Sequence, residues 1–588
     1  MRPIVTLAVT LVLTVATSAQ QGSSRDVALP AVSGTAVISG TVVNAISGQP
    51  VRRAIVTTSA SEGGLRVIAV TGDDGRFAVR DLPAGHYYLG VSRYGFVGAA
   101  YGSTKPGRPG TTIPIAAGEK KSDISLRLTP TGAITGTVVD QSGDPVAGAR
   151  VIVLHYGFGY QTGERTLMQT GVPFGTVTDD RGIYRASGLP PDDYYVAVAA
   201  DSTRGAEMRE VTSAEVSWAA KVLQSKGASS DSPAPPLGRT VDYAPVYYPG
   251  GFTSATATAI HLKAAEEQTG IDVVLDRVAT ARLTGTVVAP DGVLPPGLQV
   301  NVVANDTVSG LPFAGLNTAR LDKDGVFTSA GLLPGDYTVV VRAAGAGRGG
   351  SSVPAAALFG LADVSINGGD AAVTVTLENG ATVAGRLVFD GQIAKPPSDL
   401  SRLRVSLTAS RSARTPSLGV AATSVGSSGD FAFVGVTPGR YALFTSAPGW
   451  VLKSAIVNGH DVLDQPLEVG TAGVTGMTVT FTDQHTEISG SFLDTNGRPA
   501  PEYFIIAFPA DKALWWPESR RIQSQRPAAD GHFSIKDLPA GEYLLAAVTD
   551  VEPMEWLDPN FLSQLVPAAT KLTLHDGEKI TQSLKVAK

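Results

Sequence analysis

The sequence holds few residues whose types and spacing could support catalysis. Its seven histidines are scattered, and His575 and Glu578 show a zinc-like HxxE spacing, but within a predicted hairpin turn. No HExxH, G-x-S-x-G or phosphate-binding loop stands in a suitable context. The chain contains no cysteine, which excludes disulfides, thiolate metal sites and cysteine nucleophiles. We therefore expect a protein that is not an enzyme and that uses no metal and no cofactor.

A calcium loop is the next chemistry to consider. The run Asp322-Lys323-Asp324-Gly325 resembles the start of such a loop. Calcium, however, needs about six to eight oxygen ligands, and Leu333 occupies the position where an EF-hand carries its glutamate. Asp74 and Asp179 stand in equivalent turns elsewhere in the chain. We interpret these aspartates as turn formers.

Two aromatic clusters are the remaining candidates for binding. One lies in a glycine-rich segment and the other beside arginines; exposed aromatic rings stack on sugar faces, and arginine adds hydrogen bonds. The alternative is that the rings pack under their own loops or against a neighbouring domain, and the sequence leaves both readings open. The candidates are Tyr156, Phe158 and Tyr160 in the first cluster, and Trp515, Trp516, Arg520 and Arg521, near Arg526, in the second.

One unit of sequence recurs five times with invariant spacing. A turn glycine is followed two residues later by an aromatic residue and twelve residues later by a tyrosine. This unit predicts a hairpin, a buried aromatic ring, and a strand-start tyrosine that buries its ring and bonds nearby backbone rather than stacking on a ligand. The copies are Gly75, Phe77 and Tyr87; Gly182, Tyr184 and Tyr194; Gly325, Phe327 and Tyr337; Gly429, Phe431 and Tyr441; Gly531, Phe533 and Tyr543.

A strand with a central glycine precedes each copy, and an alternating strand closes it. Such a glycine predicts a bulge or a close backbone approach. We expect an all-β chain of five Ig-like or prealbumin-like sandwiches in an elongated, semi-rigid array, on the order of 150–200 Å long if fully extended. The strand glycines are Gly40, Gly136, Gly285, Gly385 and Gly490, and the expected domains are residues 37–130, 131–280, 281–380, 381–485 and 486–588.

Residues 201–251 interrupt the second repeat. Thr212 and Glu215 have the spacing of a capping box, which predicts one short helix. Val216, Ala219, Ala220 and Leu223 would share an apolar face, and we expect the helix to pack as a lid on the sandwich rather than to bind a partner. The following run, GASSDSPAPPLG, has the composition of a flexible loop.

The N-terminus and the composition indicate where the protein acts. A basic start, an apolar run of about twelve residues and small residues up to Ala19 predict a signal peptide at 1–19, followed by a linker at 20–36. No later segment is apolar enough to span a membrane. The net charge of −6 does not favour nucleic acid. We expect an exported protein, periplasmic or extracellular, with no membrane span after cleavage.

The second repeat carries a family resemblance. Thr135 to Val153, together with the run TDDRGIYRASGLPPDDY, resembles the carboxypeptidase regulatory-like domain. This resemblance implies a transthyretin-like sandwich, grouped with carbohydrate-binding-like folds, and accessory rather than catalytic roles. It is clearest in the first two copies, and the overall layout is similar to exported bacterial proteins built of such domains.

These features lead to three functional hypotheses. The first is a non-catalytic binding or scaffold protein whose partner is a glycan, a cell-envelope polymer or another envelope protein. The second is a structural spacer or adhesin-like stalk without a soluble ligand. The third is an accessory partner of a peptidase, or a hydrolase whose site the sequence does not reveal. The family resemblance and the aromatic clusters favour the first, with glycan as the preferred ligand class.

Overall fold

The computed structural model describes residues 34–585, apart from residues 62, 64, 161, 171–175, 201–207, 225–232, 306–315, 344–357 and 411–422. Within these ranges strands predominate, and two short α-helices occur. The expectation of an all-β chain of tandem sandwiches is confirmed. The predicted signal peptide at 1–19 and most of the linker at 20–36 lie outside the described residues.

Sandwich 1 consists of two facing sheets. Their strand orders are β4-β1-β9-β6 and β3-β2-β5-β7, and β8 also pairs with β5. The strands are β1 (Ala36–Asn44), β2 (Ile55–Ala60), β3 (Arg66–Val70), β4 (Arg76–Leu82), β5 (Gly85–Ser92), β6 (Phe96–Val97), β7 (Ala99–Ala100), β8 (Ile113–Ile115) and β9 (Lys120–Pro130).

Sandwich 2 repeats this plan and adds an insertion. Its sheets are β14-β10-β20, with β21 also on β10, and β12-β11-β15-β18, with β13 on β11 and β19 on β15. The strands are β10 (Gly132–Asp140), β11 (Arg150–Phe158), β12 (Arg165–Gln169), β13 (Thr176–Val177), β14 (Ile183–Leu189), β15 (Asp192–Ala199), β16 (Met208–Arg209), β17 (Thr240–Tyr243), β18 (Val246–Tyr247), β19 (Ile260–Leu262), β20 (Glu267–Gln268), β21 (Val273–Leu275) and β22 (Arg277–Ala279); the helix α1 is Ser213–Gln224.

Sandwiches 3 and 4 keep the same first-sheet arrangement. Sandwich 3 has the sheets β26-β23-β29 and β25-β24-β27-β28-β30, and sandwich 4 has β34-β31-β39-β36-β37 and β33-β32-β35-β38. The strands are β23 (Ala281–Val288), β24 (Leu298–Ala304), β25 (Leu316–Ala319), β26 (Val326–Leu332), β27 (Gly335–Ala343), β28 (Leu358–Ile366), β29 (Ala371–Thr376), β30 (Glu378–Asn379), β31 (Ala381–Asp390), β32 (Arg404–Ala409), β33 (Thr423–Ser424), β34 (Asp430–Val436), β35 (Gly439–Thr445), β36 (Val451–Val457), β37 (His460–Asp461), β38 (Leu467–Val469) and β39 (Val474–Thr482).

Sandwich 5 carries an extra layer. Its sheets are β43-β40-β46, with β47 also on β40, and β42-β41-β44-β45. The outer face of β41 and β44 is covered by Trp515, Leu557 and a second helix, which the sequence analysis did not predict. The elements are β40 (Glu487–Leu493), β41 (Phe504–Pro509), β42 (Gln523–Gln525), β43 (His532–Lys536), β44 (Gly541–Val548), α2 (Pro559–Leu565), β45 (Thr570–Leu574), β46 (Lys579–Thr581) and β47 (Leu584–Lys585).

The repeated unit builds the same corner in each sandwich. All five strand-start tyrosines are buried. Each hydroxyl donates a hydrogen bond of 2.6–2.8 Å to the carbonyl oxygen four residues upstream, as in Tyr87 to Pro83 and Tyr337 to Leu333. Burial raises the pKa of Tyr337 and of Tyr543 to about 12. The predicted structural role of these tyrosines is confirmed.

The strand glycines make room for the aromatic residues of the repeat. In every sandwich the glycine pairs directly with the aromatic residue of the neighbouring strand, as Gly285 does with Phe327. A Cβ atom on Gly285 would lie 2.0 Å from the Phe327 ring. On Gly136 it would lie 1.9 Å from the carbonyl oxygen of Ile271. The predicted close backbone approach is therefore confirmed, and it lets the ring lie across the strand.

The insertion strands β16 and β17 form a small sheet with β22, which lies after the insertion, and α1 contacts β16 through Glu215. The capping box is present: the Glu215 amide donates to the Thr212 hydroxyl at 3.2 Å, and the Thr212 amide donates to the Glu215 carboxylate at 2.9 Å. The predicted apolar face of the helix is wrong, because Val216 and Leu223 are 59% and 81% exposed. Glu215 also binds Arg209, and this contact turns the Glu215 side of the helix towards β16. Part of the predicted flexible loop, residues 227–232, lies outside the described residues.

The connection between sandwiches 4 and 5 is held by one carboxylate. Asp483 accepts hydrogen bonds from the backbone amides of Gln392, Ile393 and Ala394 at 2.9, 2.6 and 2.6 Å. These bonds, that of Gln392 first, lower the pKa of Asp483 to about 2. The carboxylate thereby ties the segment after β31 to the residues that lead into β40.

A pH-dependent loss of stability follows from this arrangement. Because the folded-state pKa of Asp483 lies below its unfolded value, the carboxylate stabilises the fold above about pH 4 and loses this contribution as the pH falls towards about 2. In Asp483→Asn, this part of the acid sensitivity should be absent. Thermal unfolding of both proteins from pH 7 to pH 2 tests this, and parallel curves for the two proteins would contradict it.

The array is not a fully extended rod. The loop 101–112 of sandwich 1 lies on sandwich 5, where the Ala529 amide donates to the carbonyl of Thr112 at 2.9 Å and the Thr111 hydroxyl donates to the carbonyl of Pro527. These partners are more than 400 positions apart in sequence. The expected end-to-end extension is therefore corrected: contacts between the first and last sandwiches close the chain on itself.

Candidate functional site

The first aromatic cluster lies on the hairpin of β11 and β12, which we call the tyrosine hairpin. Tyr160, at its tip, is 56% exposed, and Tyr156 is 37% exposed. The Tyr156 ring makes an edge contact with Tyr195 at 5.3 Å between centroids, and the Arg165 guanidinium lies 5.2 Å above it. Phe158 is half-buried at the end of β11 and pairs with Arg165 across the hairpin. The structure therefore leaves Tyr160 and part of Tyr156 open to a ligand.

Within the second cluster, which we call the tryptophan segment (residues 515–521), Trp515 belongs to the core of sandwich 5. It is 7% exposed, it packs edge-on against Phe508 at 5.5 Å, and its indole N–H donates to the Pro509 carbonyl at 2.7 Å. Its hydrogen bond is satisfied and its ring is covered. Trp515 thus follows the packing alternative and presents no platform for a sugar.

Arg520 and Arg521 hold sandwich 5 to sandwich 4. Arg520 lies 3.0 Å from one carboxylate oxygen of Asp464, and Arg521 lies 2.6 Å from the other. Arg520 also contacts Asp461 at 3.4 Å and donates to the Leu452 carbonyl at 2.5 Å. Burial opposes ionisation of Asp464, but the two guanidiniums outweigh it and lower the pKa of this carboxyl group. Both arginines therefore form part of an ion-pair cluster between sandwiches 4 and 5.

Trp516 lines a cavity of about 100 Å³ at this junction, which we call the junction cavity. Sandwich 4 contributes the strand β35 and residues around Leu452 and Val462, and sandwich 5 contributes Trp516, Glu518 and Arg520. Burial raises the pKa of Glu518, whose carboxylate accepts a hydrogen bond of 3.4 Å from Ser410 of sandwich 4. Neither Glu518 nor the sandwich 4 residues could be identified from spacing, because no repeat or motif marks them.

The structure brings the two predicted clusters to one junction. A Cβ atom on Gly163, in the tyrosine hairpin, would lie 2.6 Å from the Leu557 carbonyl oxygen and 3.0 Å from Cγ of Pro517. Gly163 also has φ +61, a conformation that favours glycine. The tip of the tyrosine hairpin therefore touches the tryptophan segment at Pro517, and the same segment contacts sandwich 4 through Arg520 and Arg521.

Arg526 forms a second interdomain contact, which joins sandwich 5 to sandwich 1. Its guanidinium donates to the carbonyls of Pro109 at 2.5 Å and Gly102 at 3.0 Å in sandwich 1, and of Pro501 at 2.6 Å in its own sandwich. The residue is 9% exposed, and burial lowers the pKa of its guanidinium. Its planar fork of donors suits several carbonyls at once. The sequence placed Arg526 near the tryptophans but gave no sign of these partners.

Oppositely charged side chains also face each other across the contact between sandwiches 1 and 5. The ammonium of Lys105 lies 2.5 Å from Asp550, and Arg108 donates to the Val551 carbonyl at 3.5 Å. Burial raises the pKa of Glu555, although Arg108 acts to lower it. The Lys105 and Asp550 side chains are both 53% exposed, so this pair contributes less than about 1 kcal/mol. The buried Arg526 and the backbone bonds are the stronger part of the contact.

The other candidates take structural roles. The Glu578 carboxylate accepts the backbone N–H of His575 at 2.8 Å within the turn. Asp322 accepts the amides of Asp324 and Val326 at 2.9 and 2.8 Å, which is the behaviour of a turn former. Over the described ranges, no group of three or more histidine, aspartate or glutamate residues is arranged to hold a metal ion. In the same part of the chain, no helix has the length and apolar character needed to cross a membrane.

The fold and its junctions define a class of protein: an all-β array of tandem sandwiches in which the fifth contacts the first and the fourth. Residues 37–129 and 133–218, in the first two sandwiches, each match the carboxypeptidase regulatory-like domain family. The resemblance noted for these repeats is thereby confirmed. None of the curated proteins compared with the chain is detectably similar to it in sequence.

Several solved structures align with parts of the chain. The TIE protein of Bacillus anthracis is 11% identical, with 76% of this chain and 73% of that chain covered and a TM-score of 0.14. The minor pilin GBS52 of Streptococcus agalactiae is 14% identical, covering 41% and 96%, with a TM-score of 0.19. Two B repeats of the collagen-binding protein CNA of Staphylococcus aureus are 12% identical, covering 72% and 94%, with a TM-score of 0.15. At these scores the alignments carry no argument about function.

Proposed function

We propose that this chain is a non-catalytic, exported binding scaffold whose preferred ligand class is a glycan or another cell-envelope polymer. The observation that carries the proposal is that Tyr160 and part of Tyr156 remain exposed on the tyrosine hairpin, where the Arg165 guanidinium lies over the Tyr156 ring. Exposed rings beside a guanidinium are suited to the C–H faces and hydroxyls of a sugar. In this proposal the sandwiches provide a rigid scaffold, and residues of the loops contact the ligand.

The binding surface of the proposal consists of Tyr160, Tyr156 and Arg165. Tyr160 supplies the open ring, while Tyr156 is held in place by Tyr195 and by the guanidinium above it. Trp515, Arg520 and Arg521 are not part of this surface, because they form the core of sandwich 5 and its contact with sandwich 4.

A glycan array probed with the mature protein tests the proposal. Binding to at least one polysaccharide is expected, and Tyr160→Ala should weaken it by about threefold to tenfold, the value of one aromatic contact. Tyr94→Ala is the matched control, because Tyr94 is 97% exposed on sandwich 1. Equal binding by the two variants, or no glycan binding at all, would contradict the proposal.

The structural-spacer hypothesis is the second candidate, and the contacts of sandwich 5 with sandwiches 1 and 4 favour it. Cross-sandwich bonds such as those of Arg526 and Asp464 stiffen the array whether or not a ligand exists. This hypothesis expects no soluble ligand and unchanged behaviour of Tyr160→Ala on the array. The same glycan experiment therefore decides between the two candidates.

A further inference from the structure

Strand β3 forms an open edge of sandwich 1. It is the last strand of its sheet, and within the described residues it pairs with β2 alone. The Ala60 amide donates to the Leu65 carbonyl at 3.0 Å, which fixes the phase of this antiparallel ladder. Because the hydrogen-bonding direction alternates from residue to residue, the backbone N–H and C=O groups of Arg66, Ile68 and Val70 face away from β2. Three residues of β3 therefore offer main-chain groups to a further strand.

The side chains along this edge are apolar and exposed. Ile68 is 57% exposed, Val70 is 60% exposed, and Ile55, which pairs with Val70, is 45% exposed. Proteins usually protect a sheet edge with a short strand, a lysine, a proline or a bulge. Strand β3 has five residues, contains no lysine, proline or glycine, and pairs with β2 without a register shift. This edge is therefore suited to the addition of a strand from a partner.

Other sandwiches treat the same position differently. The edge strands that correspond to β3 in sandwiches 4 and 5 are short and polar: β33 (Thr423–Ser424) and β42 (Gln523–Gln525). In sandwich 5 the outer face of the same sheet is covered by Trp515, Leu557 and α2. Over the described residues, no such layer covers Ile68 and its neighbours in sandwich 1. Sandwich 1 thus exposes a surface that sandwich 5 buries.

Charge restricts the partner. Residues 34–130 contain eleven lysines and arginines but six aspartates and glutamates, whereas the net charge of the whole chain is −6. Arg66 is exposed at the start of β3, and β2, β3 and β5 contain no aspartate or glutamate. Two copies of sandwich 1 joined at this edge would bring two basic domains together, which charge repulsion opposes. A strand with a carboxylate opposite Arg66 and apolar residues opposite Ile68 and Val70 is complementary.

We propose that β3 binds an extended, acidic segment of a partner protein, which joins the sheet as an additional antiparallel strand. The outward N–H and C=O groups of Arg66, Ile68 and Val70 bond to the backbone of the partner. A carboxylate of the partner pairs with Arg66, and its aliphatic side chains pack beside Ile68 and Val70. Main-chain bonds supply affinity in this mode of binding, and alternate side chains supply specificity. This inference is independent of the proposed glycan function, whose residues lie on sandwich 2.

The test is hydrogen exchange of the full chain in the presence of a designed peptide, Thr-Val-Thr-Val-Thr-Glu-Thr with blocked ends. Antiparallel addition places its glutamate opposite Arg66 and its valines opposite Ile68 and Val70. At a peptide concentration of about ten times Kd, exchange of the Ile68 and Val70 amides should slow by about tenfold. Lysine in place of the glutamate should weaken binding by about threefold to tenfold.

Two variants examine the charge and the backbone separately. Arg66→Glu should reverse the preference, so that the lysine peptide binds more tightly than the glutamate peptide. Arg404→Glu, at an exposed arginine of sandwich 4, is the matched control and should keep the original preference. Ile68→Pro removes one outward N–H and should abolish binding. Because that N–H faces away from β2, the sheet should persist, which thermal unfolding of the variant checks.

The contrary results are equally specific. Equal binding of the glutamate and lysine peptides, an unchanged preference in Arg66→Glu, or unaltered exchange of β3 at every peptide concentration would overturn the inference. Slow exchange of β3 without peptide, increasing with protein concentration together with a dimer in sedimentation, would also overturn it, because a second copy would then occupy the edge.

Discussion

Replacement of Asp464 with alanine is expected to destabilise the contact between sandwiches 4 and 5 by about 3–5 kcal/mol, because it leaves two largely buried guanidiniums without their shared carboxylate. Asp464 has 11% of its side chain exposed, and the side chains of Arg520 and Arg521 have 21% and 13%. Asp461 remains 3.4 Å from Arg520, as a partner of that arginine alone among the ion pairs of this cluster. The effect is therefore far larger than that of an exposed pair.

Hydrogen exchange measures this effect where it arises. In Asp464→Ala, the amides of the tryptophan segment and of β36 should exchange faster, while those of sandwiches 1 and 3 keep their protection. Glu468→Ala, an exposed position in the same sandwich, is the control. Asp464→Asn keeps the side-chain volume and guards against simple misfolding. Unchanged exchange in both Asp464 variants would show that the ion-pair cluster does not hold the two sandwiches together.

Replacement of Arg526 with alanine should release sandwich 1 from sandwich 5. The change leaves the carbonyls of Gly102, Pro109 and Pro501 without their shared donor and removes the contact of the guanidinium with the Phe504 ring at 5.3 Å. Loss of a buried, charged hydrogen-bonding group of this kind costs at least about 2 kcal/mol. The Lys105–Asp550 pair is too exposed to compensate.

Proteolysis and scattering report the release. In Arg526→Ala, the loop 101–112 should become a preferred cleavage site, and the radius of gyration should increase. Arg498→Ala, an exposed arginine of sandwich 5, should behave like the parent protein. A loop that stays resistant to cleavage in Arg526→Ala, with an unchanged radius of gyration, would mean that Arg526 does not fasten the first sandwich.

Much of the fold could be predicted from the sequence because it is encoded locally. The unit from turn glycine to tyrosine spans twelve residues, and alternation of strand residues decides which ring is buried, as with Phe327 and Tyr337. The helix α1 was marked by its capping box, yet its buried face was not, because Glu215 rather than an apolar residue faces the neighbouring strand. The hydrogen bonds of Glu215, rather than the apolar periodicity of the helix, therefore decide which face of α1 is buried.

The junctions could not be predicted, for a physical reason. Arg526 binds backbone carbonyls, which every residue possesses and which leave no trace in the sequence. The tryptophans and arginines of the tryptophan segment were identified as candidates for binding, but composition does not distinguish a ring that stacks on a sugar from one that packs on Phe508, as Trp515 does. Only the tertiary contacts separate Trp515, a core residue, from Trp516, a residue that lines a cavity.

The central claim is that the fifth sandwich closes the array by binding the first. Since the chain has no cysteine, the double variant Lys105→Cys and Asp550→Cys can be spin-labelled at these two sites alone. Pulsed electron paramagnetic resonance on the full chain should give one short, narrow distance, because the native side chains at these positions approach to 2.5 Å. A broad distribution, or a separation beyond the range of the method as in an extended chain of sandwiches, would contradict the closed arrangement.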